Sequence, residues 1–145
     1  MAIFQTNHTF KGSIKNVFSA LGKYERYSEF LPGVTASTVL PAPQGSTAKC
    51  LVRTDIHVIK TFYYTIEMHE EAPGKIWWRL VESNIMKQND GSWSLTAAGK
   101  TKTSAIYSLD VKYKGLIPSS ITDQIVKANI NATLTGFQKL IDAEK

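Results

Sequence analysis

The chain has a single cysteine, Cys50, which excludes an internal disulfide and a cysteine-based zinc cluster. Its three histidines, His8, His57 and His69, form no His-x-His or His-x-x-x-His pair, and no carboxylate partner stands out at metal-ligand spacing. No metal site is therefore expected. No apolar run reaches the ~18 residues that a membrane-spanning helix needs. The N-terminus, from Met1 to His8, lacks the basic segment and apolar run of a secretory leader, so a cytoplasmic location is the expectation. Four consecutive Lys or Arg occur nowhere; the densest basic cluster is Lys100-Thr101-Lys102, in an expected turn. There is no Gly-x-Ser-x-Gly, no Walker loop and no dinucleotide fingerprint. Those absences argue against conventional hydrolase, kinase and dehydrogenase chemistry, and no cofactor is expected.

What remains is an ordinary globular composition: 145 residues, 43% hydrophobic and 20% charged. One domain spanning residues 1–145 is expected. A domain of this size buries roughly 68–70% of its unfolded surface, so it builds a core without staples. The net charge of +5 is compatible with an anionic partner such as RNA or a membrane surface. Without clustered cations, a solvated basic surface is the plainer explanation.

Hydrophobic periodicity divides the chain. Residues 3–10 alternate weakly, as a first strand would. Ser13 is a candidate N-cap for a helix from Ile14 to about Leu21, on which Ile14, Val17, Phe18 and Leu21 form one stripe. Gly22 closes it, and residues 24–31 form a second short helix. Pro32 then fixes its own φ and disfavours helix at Leu31, while Gly33 admits φ > 0. From Val34 the period becomes two, predicting strands at 34–40, 48–59, 61–69, 75–82, 92–97 and 103–113. Pro- and Gly-containing stretches separate several of them, including Asn89-Asp90-Gly91, which reads as a turn. Such spacing favours an antiparallel meander over βαβ units.

A last helix is predicted from Pro118 to Ala143, ~26 residues or roughly 39 Å long. Ser119 or Ser120 can cap it. It carries two apolar rows: Ile121, Ile125, Ala128 and Ala132; and Val126, Ile130, Leu134, Phe137 and Ile141. Together they make a face broad enough to cover a sheet. The order β-α-α-β6-α thus predicts an α+β fold, a seven-stranded curved antiparallel sheet around a long C-terminal helix.

Candidate chemistry lies mainly in the aromatics. Phe62, Tyr64, Ile66 and Met68 alternate on one strand face. Trp78 and Leu80, Trp93 and Leu95, and Tyr107, Leu109 and Val111 do so on others. Pointing the same way, they either fill a solid core or line a cavity with polar points, because buried Trp and Tyr want hydrogen-bond partners. The cavity alternative assigns Leu31, Phe62, Tyr64, Trp78, Trp93, Tyr107, Ile121 and Ile125 to its wall, with Arg79 and Tyr107 as polar anchors. Phe30, Pro32, Gly33, Ile85 and Met86 form an expected gate, at the 30–33 turn and an 84–90 loop where apolar side chains meet a polar connection. Asp55 with His57, and Glu67 with His69, share strand faces and read as exposed polar pairs opposite an apolar face. Cys50, without a local basic activator, reads as a small core residue.

The stretch Tyr24-Glu25-Arg26-Tyr27-Ser28-Glu29-Phe30-Leu31-Pro32-Gly33 resembles the Tyr-x-x-Tyr-x-x-Phe-Leu-Pro-Gly signature of the START-like (SRPBCC) superfamily. The likeness is to its polyketide cyclase and coenzyme Q-binding (Coq10-like) branch, which includes the ribosome association toxin. Val17-Phe18, Lys60-Thr61-Phe62, Leu80-Val81-Glu82, Gly91-Ser92-Trp93 and the final helix follow in matching order, so the resemblance spans nearly the whole chain. It implies the helix-grip fold of START and Bet v 1-like proteins, and an apolar ligand held between sheet and last helix: a lipid, an isoprenoid quinone or a polyketide intermediate. It supplies no universal catalytic residue, and fold does not fix function. The sequence therefore favours a non-enzymatic carrier of a hydrophobic small molecule, with peripheral membrane contact compatible and DNA excluded. Two alternatives accompany it: a ribosome-associated, toxin-like binder of the large subunit, and a polyketide cyclase or aromatase using Asp55, His57 or Tyr107 as acid/base groups.

Overall fold

In the computed structural model the backbone is described for residues 2–31, 33–57, 61–115 and 119–143, and side chains for 4–31, 33–57, 61–115 and 130–143. Pro32, Ile59, Pro118 and the side chains of Ser119, Ser120, Ile121 and Ile125 lie outside the described residues.

Strand β1 (Ala2–Lys11) leads into helix α1 (Ile14–Leu21), whose bounds match the periodicity. Ser13 caps it as expected: its backbone is extended and its Oγ accepts from the Asn16 N–H at 3.2 Å. Val17, Ala20 and Leu21 bury its inner face.

Residues Tyr24–Glu29 form a 3-10 helix rather than an α-helix. The reason lies in the spacing. Tyr24, Tyr27 and Phe30 are three apart, and a helix of three residues per turn brings such positions into one row. The rings meet edge to face or tilted, with centroids 5.8 Å and 5.9 Å apart. The backbone then turns at Gly33, whose φ of 77° only glycine adopts without strain. Its carbonyl accepts from His57 N at 2.9 Å, so the turn is also pinned to the neighbouring strand. Gly33→Val is accordingly expected to lower stability by about 1–2 kcal/mol. An unchanged urea midpoint would show that the turn tolerates a β-branched residue.

Strands β2 (Val34–Leu40), β3 (Cys50–His57), β4 (Thr61–Glu71), β5 (Lys75–Ser83), β6 (Met86–Ala97) and β7 (Lys102–Tyr113) complete one antiparallel sheet in the order β1-β7-β6-β5-β4-β3-β2. Register shifts at Val34/Ala36, Thr65/Ile66 and Met86/Gln88 are bulges, which bend and twist strands. Helix α2 (Ser119–Ala143) packs on β1, β7 and α1. Gln138 ties it to the end of β1 through both amide atoms, its Oε1 accepting from Lys11 N and its Nε2 donating to Lys11 O, each at 2.9 Å. Along its described half Leu134, Phe137, Leu140 and Ile141 are buried and Ile130 is half-buried. Ala132 faces solvent, so the first of the two expected rows does not reach this half of the helix. No helix among the described residues is long and apolar enough to cross a membrane.

One expected boundary moves. β6 begins at Met86, six residues before the predicted strand, so residues 84–90 are not a loop and Asn89-Asp90-Gly91 is not a turn. The turn is at Asn84 and Ile85, and it is held tightly. Ser83 Oγ accepts from the N–H of both Ile85 and Met86 at 3.0 Å and donates to Tyr63 O at 2.7 Å.

Candidate functional site

The period-two strands turn their inner residues toward α2, and the two ends of that inner face differ. Toward one end Phe10, Val17, Leu21, Ile76, Ala105 and Ile141 are all at most 1% exposed and pack solidly. Toward the other, where β2, β4 and β6 start and β3, β5 and β7 finish, a cavity of about 220 Å³ opens. Solid core and cavity, the alternatives left open by the sequence, divide the strands between them. Trp93 and Tyr107, stacked with centroids 4.4 Å apart, form the floor where the two meet.

Leu31, Tyr64, Trp78, Trp93 and Tyr107 all line this cavity. Tyr24, Tyr27, Val52, Thr54, Ile66, Met68, Leu109, Val111 and Tyr113 join them, and α2 contributes Ile130, Thr133 and Phe137. Phe62 is half-buried on the same strand face but stands outside the wall. Phe30 wedges between the 3-10 helix and α2, its ring 5.0 Å from that of Phe137. Met86, expected at a gate, is a buried part of the wall; Ile85 is half-exposed in the turn before it.

Arg79 is placed otherwise than expected. Trp78 turns inward, so the pleat turns Arg79 outward. Its side chain is 72% exposed on the convex face, with Nε 2.7 Å from Glu67 Oε1. His69 bonds the same oxygen at 3.1 Å and stacks on Trp77. The hydrogen bond from His69, then that from Arg79, holds the Glu67 carboxyl below its usual range. Asp55 pairs with Arg53, and His57 meets Thr61; both lie on this outer face. All four groups thus lie on the outer face, but only His57 is fully exposed there; Glu67 and His69 are half-buried, and neither Asp55 nor His57 reaches the cavity as an acid/base group. Cys50 is buried, and burial raises its thiol pKa.

The protonatable groups of the wall are phenols. Burial is the first cause that raises the pKa of Tyr24, Tyr27, Tyr64, Tyr107 and Tyr113, so all stay neutral. Two are structural. Tyr24 donates to Glu70 Oε2 at 2.5 Å, and Tyr27 donates to the Leu21 carbonyl at the end of α1. Among the described residues no group is hydrogen-bonded to the Tyr107 hydroxyl. Two buried polar residues of the wall were missed from the sequence. Thr54, 3% exposed, alternates with Val52 and Ile56, a pattern hidden behind the more conspicuous Asp55 and His57. Asn89, 6% exposed, looked like a turn residue; counting back in twos from Trp93 would have placed it on the inner face.

Solved structures with this architecture are numerous. A START superfamily protein from Mycobacterium smegmatis superposes with a TM-score of 0.84 at 14% identity, over 99% of both chains. The Zhui aromatase/cyclase from Streptomyces sp. R1128 gives 0.75 at 14% identity, over 99% of this chain and 92% of its own. A conserved protein from Geobacillus kaustophilus gives 0.76 at 17% identity, over 98% and 96%. At these identities the likeness is one of fold. No curated protein sequence matches the chain. A family model does, over residues 11–138, and by that match the chain belongs to the polyketide cyclase/dehydrase and lipid transport family.

Proposed function

We propose that this protein binds and carries a hydrophobic small molecule in the cavity between sheet and α2, without transforming it. The observation that supports this most directly is the wall itself: aromatic and aliphatic side chains interrupted by neutral hydroxyls and one amide. Such a lining suits apolar burial, worth roughly 25 cal/mol per Å², with a few hydrogen bonds to set orientation. A space of about 220 Å³ suits a fused-ring ligand, or the head of a larger lipid or isoprenoid quinone. The narrower kinship with coenzyme Q binders belongs to this proposal.

The test uses 2-methyl-1,4-naphthoquinone and a fatty acid as probes, followed by calorimetry. Ile130→Trp, which builds a ring into the cavity from α2, is expected to weaken binding of the better probe at least tenfold while far-UV circular dichroism stays unchanged. Binding that survives this change would place the ligand elsewhere, and wild-type protein that binds neither probe would end the carrier proposal. A surface function such as ribosome association would then come first, with binding that falls steeply with salt.

An aromatase or cyclase is the second possibility. The fold likeness to the Zhui aromatase/cyclase favours it, and so does the Tyr107 hydroxyl, to which no described residue is hydrogen-bonded. Product formation from a linear polyketide thioester, lost in Tyr107→Phe, would select it over the carrier.

A further inference from the structure

Asn89 has a fixed orientation and a poorly used donor. Its Oδ1 accepts the indole N–H of Trp78 at 3.2 Å. An indole nitrogen donates only, so the amide cannot be turned round without losing that bond. Nδ2 must therefore point the other way, where its partner among the described residues is Met86 Sδ at 3.7 Å. A thioether is a weak acceptor, and an amide nitrogen carries two hydrogens. The side chain is only 6% exposed and belongs to the cavity wall. The phenols around it can rotate an O–H to donate or accept and so discriminate little; an amide N–H can only donate.

We infer that Asn89 Nδ2 is the polar anchor of the cavity, and that the ligand presents to it a carbonyl oxygen of a ketone, quinone or ester, with an apolar body lying against Trp78 and the Trp93–Tyr107 pair. This rests on the proposed binding function and narrows it, from any apolar molecule to one bearing an acceptor oxygen. A plain hydrocarbon would leave the amide as poorly bonded as it is now, and a buried donor without a good acceptor penalises the ligand that fails to supply one.

A matched pair of probes tests this: 2-acetylnaphthalene and 2-isopropenylnaphthalene, which share ring and shape and differ in C=O against C=CH2. In wild type the ketone is expected to gain on the hydrocarbon, and in Asn89→Leu the ratio of their affinities should fall about tenfold. The carbonyl stretching band of the bound ketone should lie below its position in an apolar solvent and return to it in the variant. Should Asn89→Leu fail to fold, Asn89→Asp keeps the acceptor for Trp78. Its carboxyl donates when protonated and cannot when ionised. Ketone binding by that variant should therefore hold at low pH and fall as pH rises through the carboxyl pKa, with hydrocarbon binding flat. An affinity ratio equal in wild type and variants, or an unshifted carbonyl band, would overturn the inference and leave the cavity function standing. Failure of both probes to bind wild type would remove the cavity function and this inference with it.

Discussion

Gly91→Ala is expected to destabilise the protein by about 3 kcal/mol, although alanine in place of glycine within a strand ordinarily stabilises by roughly 0.5–1 kcal/mol. The sign reverses because there is no space for the methyl group. A Cβ at position 91 would lie 2.2 Å from Trp78 Cζ2, 2.5 Å from its Cε2 and 2.9 Å from the Ser108 carbonyl oxygen. The backbone of β7 blocks one side. The indole blocks the other, and its N–H is bonded to Asn89. Making room means expelling Trp78 from the cavity wall. Urea denaturation should show the loss, and tryptophan emission should shift to the red as the indole meets water. Shrinking the neighbour supplies the control: in a Trp78→Leu background the same substitution should be neutral or slightly stabilising, a coupling that a double-mutant cycle measures. Wild-type stability for Gly91→Ala alone would mean that Trp78 swings aside freely and that the wall is loose.

Gly136→Ala should cost about 2 kcal/mol net. Inside a helix this exchange usually gains about 1 kcal/mol, so overpacking must more than cancel it. The new Cβ would stand 2.3 Å from Phe30 Cδ2 and 3.0 Å from its Cγ. Contact with Cγ matters, because spinning the ring about its own axis does not move that atom. Phe30 is also held between Tyr27 and Phe137. The 3-10 helix would have to retreat from α2, carrying Leu31 of the cavity wall with it. Naphthoquinone affinity is therefore expected to fall together with the melting temperature. Combined with Phe30→Leu, Gly136→Ala should recover stability and begin to express its helix preference. A stabilised single variant would show that Phe30 does not seat against the glycine.

The small residues of this chain illustrate what one-dimensional pattern conceals. Gly91 follows Asn89 and Asp90, and three turn-forming residues in a row read as a turn by local preference. Each has a separate tertiary reason to be in a strand. Asn89 holds an indole N–H, Gly91 lies beneath that indole, and Asp90 faces outward opposite Asp110, bridged by Gln88. Arg79 shows the converse. Its character suggested an anchor, but the inward Trp78 beside it already implied that it points away. Tyr24, Tyr27 and Phe30 were legible as a helix, and their spacing of three already carried the 3-10 pitch.

By itself the sequence determined the order of elements, the bounds of α1 and β2 and the turn at Gly33. All of these follow from periods of two and 3.6 residues and from backbone preferences, which act between near neighbours in the chain. Only the tertiary structure decided where the solid core ends and the cavity begins, and that Gly91 and Gly136 are contact points. Those depend on strand register and on how closely an indole or a phenyl ring from one element approaches the backbone of another. Such distances are set between residues far apart in sequence, and no local pattern encodes them.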